Sequence, residues 1–305
     1  MPAENPSDDD PGMVDARAVR FHFARAAATY DAAAVLQREI GRRMAEKLDV
    51  VKLVPAVILD AGCGTGDALA DLALRYPDAR LVALDVALPM LAAARAKAAE
   101  RRSTLSRLLS ALSGGAGGNV GYVCADVGRL PFAAGTFDFA WSNLALQWAD
   151  DLPHALAELG RVLRAGGLVT FSTFGPDTLR ELRAAFAGVD RHSHVSRFVD
   201  MHDIGDMLVG AGFGDPVMQM EYMTLTYADA WAMVRDLKAI GATNATKARP
   251  RSLMGRRRWE RALASLETAR HEGRIPATFE VIYGHAWKVP AKRTAEGHAI
   301  VRFGR

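Results

Sequence analysis

Cysteine is scarce: Cys63 and Cys124 are the only two in 305 residues. Both fall in segments that read as buried strand ends. They are expected as packed thiols rather than a disulfide, which fits a reducing cytoplasm. Half the residues are apolar, yet no run approaches the ~20 uncharged apolar residues of a membrane span. The first dozen residues are acidic and proline-bearing. They have neither the basic start nor the apolar middle of a secretory leader, and residues 1–16 read as a disordered tail. No Gly-Lys-Ser/Thr follows any glycine run, so a phosphate loop is excluded. His192-Ser193-His194 and His202-Asp203 match no zinc or iron spacing, and paired cysteines are lacking, so no metal is expected.

What the chain does have is a glycine loop, Asp60-Ala61-Gly62-Cys63-Gly64-Thr65-Gly66. The apolar run Val57-Ile58-Leu59 before it reads as a buried parallel strand, and Asp67–Ala73 after it as a helix. Strand, tight turn and helix make a ligand cradle at the carboxyl end of a parallel sheet. A dinucleotide fingerprint would need glycine at 67, where the chain has Asp67. Two further acids end predicted strands. Asp85 closes 80–85, followed by Val86, and Asp126 follows the strand at 120–124, with Val127 next. The first can accept ribose hydroxyls and the second an adenine amino group. Each alone could be an ordinary strand-end acid. Met90 fits either an adenine contact or a helix core.

The predicted strands are 57–61, 80–85, 120–124, 137–142 and 167–173, with helices near 66–75, 88–102 and 151–164. Arg164-Ala165-Gly166-Gly167 reads as a glycine stop to the last of these. Alternation of strand and helix implies right-handed crossovers. The fold class is therefore α/β, Rossmann-like, with a seven-stranded, mostly parallel sheet. Two late strands near 215–226 and 277–287 complete that sheet, after helices at 177–189 and 201–211. Residues 17–55 form an amino-terminal helical segment, helical over 17–48, and the main domain spans 56–290. Residues 103–119 are a flexible Gly/Ser insertion, 228–272 a helical cap between the last two strands, and 291–305 a tail.

Net charge is only +3, but it is uneven: after residue 240 there are fourteen Lys/Arg against five Asp/Glu. They concentrate in Lys247–Arg251 and Arg256-Arg257-Arg258, inside the predicted cap. Such a cluster suits nucleic acid, anionic lipid or an acidic protein, or is a solvated helix face.

Glycines at 62, 64 and 66 behind Asp60 resemble motif I of class I S-adenosylmethionine-dependent methyltransferases. Phe23–Asp31 with Gln37, Trp141–Trp148, Phe174–Leu182 and Arg197-Phe198-Val199-Asp200 narrow the likeness. Over about residues 17–290 the chain resembles the BioC family, the malonyl-acyl-carrier-protein O-methyltransferases of biotin synthesis. The 103–119 insertion departs from that pattern.

The resemblance implies S-adenosylmethionine as cofactor, held by Asp60, Gly62, Cys63, Gly64, Gly66, Asp85, Val86, Met90, Asp126, Val127, Asn143 and Leu144. Phe23 and Tyr30 would close over it, with ordinary helix packing as the alternative. S-adenosylhomocysteine would be the product. The partner would be acyl-carrier protein bearing a malonyl thioester, or malonyl-CoA, and not nucleic acid or membrane. Arg256, Arg257 and Arg258 would dock the acidic carrier, and the enzyme would act as a monomer. A carboxylate nucleophile, with a reference pKa near ~4, is already ionised and needs no general base. Arg197 is the first candidate to hold it, with Arg180 and Arg183 as alternatives, each also readable as a surface ion pair. Trp141 and Trp148 are each core or pocket wall. Two other readings stay open: a class I methyltransferase for a small molecule, and an assembly factor on this fold that acts on a protein partner.

Overall fold

The computed structural model of the chain describes residues 13–101, 120–190, 192–249 and 254–290. The 103–119 insertion, residues 1–12 and the 291–305 tail lie outside the described residues.

Seven strands form one sheet: β1 (Val57–Ala61), β2 (Arg80–Asp85), β3 (Val120–Cys124), β4 (Phe137–Asn143), β5 (Leu163–Phe174), β6 (Phe213–Tyr227) and β7 (Ile275–Lys288). Their order is β3-β2-β1-β4-β5-β7-β6. The first five pair in parallel, and β7 runs antiparallel between β5 and β6. The strand order reverses between β1 and β4. A parallel sheet leaves its ligand crevice at such a switch point, outside the carboxyl ends of the strands.

The amino-terminal segment is three helices: α1 (Ala16–Ala26), α2 (Tyr30–Ala33) and α3 (Val35–Lys47). The stretch read as helical over 17–48 is interrupted at Thr29 and Ala34. The Thr29 hydroxyl bonds the carbonyls of Ala26 and, at 2.8 Å, Ala239. Ala34 takes a non-helical φ −76°, ψ 43°. These breaks fold the segment over the sheet's carboxyl edge. Residues 13–16 are ordered rather than tail. Asp15 caps α1, and its backbone N–H donates to the Ala245 carbonyl.

Helices α4 (Asp67–Arg75), α5 (Leu88–Arg101) and α6 (Leu152–Val162) supply the crossovers. They are followed by α7 (Arg180–Ala187) and α8 (Met201–Gly210), and by α9 (Ala230–Ala239) and α10 (Arg256–Glu267) between β6 and β7. The last pair is the predicted cap. One core joins α3, α7, α9 and α10 to Phe139, Trp141 and Phe279 of the sheet. The other packs α6 and α8 on Phe171 and Ile282. Trp141 is thus core.

Two sequence expectations are corrected. Helix α6 stops at Val162, and residues 164–167 belong to β5. Leu163 pairs with Phe137 but Leu168 with Phe139, a bulge in which Gly166 takes φ +78°. Cys124 is exposed, because β3 is an edge strand with nothing described beyond it.

Asp138 fastens the start of β1. It is buried, and Oδ2 accepts the Ala56 and Val57 backbone N–H groups at 2.5 and 2.9 Å. Its Oδ1 meets Arg164 Nε at 2.7 Å. Asp138→Ala leaves these partly buried donors without their acceptor. The expected loss is about 2–4 kcal/mol, a melting-point drop of roughly 4–15 °C. A calorimetric scan checks it, and an unchanged melting point would refute this role.

Candidate active site

The glycine loop leaves β1 and turns back over β2. Gly62, Gly64 and Gly66 all take positive φ, at 84°, 53° and 77°. The Gly62 and Cys63 N–H groups donate to the Leu84 carbonyl at 2.8 and 2.9 Å. Asp85 locks the turn: Oδ2 accepts the Gly64 N–H at 2.9 Å, and Oδ1 the Ala87 N–H at 2.8 Å. A second clasp comes from α2, where Asp31 accepts the Thr65 hydroxyl at 2.5 Å and pairs with Lys97 at 2.8 Å. Burial pushes the Asp31 carboxyl up, but bonds from Lys97 and Thr65 hold it below its usual range.

A cleft of about 690 Å³ opens over this loop. Gly62, Gly64, Asp85, Val86, Met90, Asp126, Val127, Asn143 and Leu144 line it from the sheet side, and Phe23 and Tyr30 from the amino-terminal helices. Eleven predicted residues thus meet in one cavity. Trp148, left open as core or pocket wall, lines it too, and the sequence reading missed Ala16 and Val19 of α1, Leu84, Ala125 and Ala145. The first two carried no local signal, since only tertiary folding lays α1 over the sheet.

Three predicted residues do not line the cleft. Asp60 is buried in β1, Cys63 packs beneath the loop with Leu69, Ala83 and Leu91, and Gly66 is a packing glycine at the start of α4. A Cβ on Gly66 would sit 2.8 Å from Leu69 and 2.9 Å from Ala94. Burial pushes the Cys63 thiol well up, so it is not a nucleophile.

A second cleft, of about 700 Å³, lies under the cap. It shares Phe23, Tyr30, Leu144 and Trp148 with the first. Phe23 meets Trp148 edge-on at 5.3 Å, so the shared wall is largely aromatic. Leu144 turns from β4 at φ +49°. Two bonds from its N–H to Ser172 hold that uncommon conformation, to O at 3.1 Å and Oγ at 3.0 Å. Asn143 lines the first cleft but spends its amide on structure. It donates to the Gln37 carbonyl at 2.9 Å and accepts from Ser172 Oγ at 2.7 Å. Burial, reinforced by Asp85, Asp67 and Asp31, pushes the Tyr30 phenol up. It stays protonated at neutral pH and is no general base.

Two joined clefts, one against a glycine loop with strand-end acids, describe a two-substrate transferase. A methyltransferase-domain profile matches residues 59–171. A malonyl-[acyl-carrier protein] O-methyltransferase of Gallionella capsiferriformans (strain ES-2) is 51% identical over 290 residues, covering 95% of this chain and 97% of that one. Its namesake in Methylovorus sp. (strain MP688) is 52% identical over 296 residues, covering 96% of each.

The chain belongs to the malonyl-[acyl-carrier protein] O-methyltransferase family.

Among solved structures, the YcgJ protein of Bacillus subtilis shares the fold at TM-score 0.55 and 15% identity, covering 82% of this chain and 99% of that one. The [4+2]-cyclase SpnF shares it at TM-score 0.50 and 21% identity, covering 83% of this chain and 82% of that one. One fold hosts different chemistry, so substrate must be argued from the site.

The enzyme is an S-adenosylmethionine-dependent methyltransferase. Its first cleft fits that donor. Asp60 Oδ2 is buried without a hydrogen-bond partner. Burial, then the nearby Asp85, pushes its carboxyl up to about 8. Asp85 and Asp126 remain able to accept. Although Asp126 Oδ1 takes the Gly128 N–H at 2.8 Å, a carboxylate has about four acceptor positions.

The arginines come out differently from expectation. Arg197 is exposed and lines neither cleft, while its neighbours Ser196 and Phe198 line the second. Arg183 is turned onto the carbonyls of Pro176 and Thr178, and Arg180 lies 3.5 Å from Glu181. Arg249 is not free for docking, since it pairs with Asp15 at 2.8 Å. Arg256, Arg257 and Arg258 are exposed on α10, with Arg256 paired to Glu260 at 2.7 Å. Among the described residues no cluster of three or more His, Cys, Asp or Glu could hold a metal, and no helix is long and apolar enough to cross a membrane.

Proposed function

We propose that this methyltransferase esterifies the free carboxylate of a malonyl thioester carried on acyl-carrier protein. The products are S-adenosylhomocysteine and a methyl ester whose masked charge lets it prime synthesis of the biotin side chain. The observation that carries the reading is the second cleft, which meets the donor cleft at Phe23, Tyr30, Leu144 and Trp148. The names of the relatives point the same way.

When bound, the donor supplies an electrophilic methyl on a sulfonium, which a carboxylate oxygen displaces in line. Asp85 would hold the ribose, Asp126 and Val127 the adenine, and Gly62 and Gly64 the methionine end. Phe23, Tyr30 and Trp148 exclude water where the clefts meet. Their faces favour a nearby cation by about 0.5–2 kcal/mol. The attacking carboxylate arrives ionised, so the chain needs only to orient and desolvate it. Alignment of that kind supplies up to roughly 7–11 kcal/mol. We propose action as a monomer. A carrier-linked acyl substrate supports a cytoplasmic site of action.

Incubation with malonyl carrier protein and methyl-labelled donor tests the reading, with mass spectrometry locating the label. A labelled malonyl methyl ester is expected. Label absent from the malonyl group, or appearing on a small molecule or a bystander protein instead, would overturn it.

The exposed arginines of α10 are proposed to receive the acidic carrier. This helix stands one layer outside the second cleft, with Trp259 packed 5.9 Å from Phe186 and 5.6 Å from Trp231. Arg256→Ser/Arg257→Ser/Arg258→Ser is expected to raise KM for malonyl carrier protein severalfold and to flatten its salt dependence. Malonyl-CoA turnover should barely change, because exposed charges act mainly on encounter and are screened within about 8–10 Å at physiological salt. Equal slowing of both substrates would mean that the helix supports the cap's packing. Slowing of neither would place the dock elsewhere.

A further inference from the structure

The second cleft has an unexpected lining. Among the described residues no lysine or arginine borders it, although the proposed substrate is an anion. Its walls are mostly apolar, from Leu144, Phe174, Leu182, Phe198, Leu237 and Phe279. Among the described lining residues, the side chain that can carry positive charge is His194. The sequence showed this histidine only as part of a pair without metal spacing.

The imidazole is held on several sides. Nε2 lies 2.9 Å from Asp190 Oδ1. The ring stacks on Phe186 of α7, with centroids 4.1 Å apart and planes 19° from parallel. The backbone beside it is pinned too. Asn244 Nδ2 donates to the Ser193 carbonyl, and Ser193 Oγ donates to the Val195 carbonyl at 2.7 Å. With Nε2 on the carboxylate, Nδ1 is the nitrogen left for a ligand. An acid behind a histidine both orients the ring and favours its cationic form.

Two more polar groups mark the same cavity. Gln37 Oε1 and Thr243 Oγ1 are buried, border the second cleft and have no hydrogen-bond partner. Orphaned groups of this kind are rare in a finished interior and point to a polar ligand. Three charged groups on the surrounding elements are engaged elsewhere. Arg183 bonds backbone carbonyls, Lys238 lies over the Trp259 ring at 5.9 Å, and Glu280 accepts from the Asp177 N–H at 2.8 Å. His192 sits beside Asp190, whose Oδ1 accepts the His192 backbone N–H at 2.9 Å. Burial pushes the Asp190 carboxyl up, but the bonds from His194 and His192 hold it below its usual range. Asp190 therefore stands ionised behind the ring.

We propose that His194, backed by Asp190, is the receptor for the substrate's free carboxylate in the second cleft, with Gln37 and Thr243 as its polar neighbours. The assignment rests on the malonyl thioester reading above and gives the receptor role to His194 instead of Arg197. One carboxylate oxygen accepts from Nδ1–H, and the other stays free to attack the methyl. A single-nitrogen contact leaves that oxygen unmasked, as a two-pronged guanidinium would not.

The test compares His194→Asn, Asp190→Asn and Arg197→Ala with wild type on malonyl carrier protein. Asparagine keeps a neutral donor near the position of Nδ1 but cannot carry charge. His194→Asn is expected to raise KM at least about tenfold at pH 6.5, as loss of a charge-assisted bond does. Donor affinity should stay within about twofold, since the first cleft is intact. The KM of Asp190→Asn should fall between those of wild type and His194→Asn. A second measurement needs no variant: the His194 imidazole resonances should move when malonyl-pantetheine is added to wild type with S-adenosylhomocysteine. An unmoved signal, or a wild-type KM in His194→Asn, overturns the assignment. Loss in Arg197→Ala with His194→Asn intact overturns it as well, and returns the role to the exposed arginine. A wild type that leaves malonyl carrier protein unmethylated sinks the substrate reading, and this assignment with it. A methylating wild type with an unmoved imidazole sinks only the latter.

Discussion

Asp85→Ala should all but abolish binding of S-adenosylmethionine while the sheet stays folded. Two losses coincide in this variant. The first is the carboxylate at the end of β2, which lines the first cleft and is proposed to accept the ribose hydroxyls. Removing a charged acceptor of this type costs about 1.5–3 kcal/mol, roughly 10- to 150-fold in affinity. The second is the lock on the loop itself, because Asp85 accepts the N–H groups of Gly64 and Ala87. Without it the Gly64 amide has no acceptor, and the loop must be ordered at the expense of binding. Asp85→Asn keeps one acceptor oxygen and should fall in between. Calorimetric titration reads the affinity directly. A thermal scan reads it independently, since a ligand that binds only the native state raises the melting point by mass action. Wild type should gain stability with the donor and Asp85→Ala should not. Wild-type affinity in a folded Asp85→Ala protein would sink the assignment of this cleft.

Gly62→Ala should be nearly as damaging, for a different reason. At φ +84° an L side chain is strained, and the new Cβ would lie 2.2 Å from the Ala145 Cβ. Backbone strain of about 1–2 kcal/mol adds to overpacking of about 1–3 kcal/mol. The loop and the Ala145 segment must move apart, and both border the donor cleft. The expected result is at least about a tenfold weaker donor affinity, with a melting point lowered by several degrees. Adding Ala145→Gly removes the steric contact but not the strain, so the double variant should recover only part of the loss. Full recovery would show that φ at position 62 matters little. No effect in the single variant would mean that the loop is not held in this conformation.

Much of the donor cleft was legible because its parts are short and local. A strand needs only its apolar run. The tight turn needs glycine at the positions with positive φ, and the acids stand one step past the strand ends, where a parallel sheet opens toward its ligand. Hence Asp60 through Gly66, Asp85 and Asp126 mark the loop and the crevice without any knowledge of contacts. Even so, the sequence did not separate residues that face the donor, such as Gly62 and Asp85, from those that hold the loop from beneath, such as Cys63 and Gly66. Cys124 likewise read as buried because its strand was recognised but its place at the sheet edge was not.

The second cleft is a different case. Its lining comes from α1, α3, α7, α9, β7 and the loops after β4 and before α8, brought together from positions between 23 and 279. No local pattern encodes that meeting. Trp141 and Trp148 stand seven residues apart in one motif. The first is locked between core side chains of β4, and the second is freed by the turn at Leu144 to face both clefts. Arg197 and His194 are three residues apart in an irregular segment, where side-chain direction follows from packing and not from a period of 2 or 3.6. Phe186, Asp190 and the Asn244 anchor turn the histidine inward, and the arginine is left in solvent. The sequence alone determined the fold class and the donor site, because backbone geometry at strand ends is a local property. Tertiary structure decided which charge borders the substrate cleft, because that depends on groups remote in the chain closing around one ring.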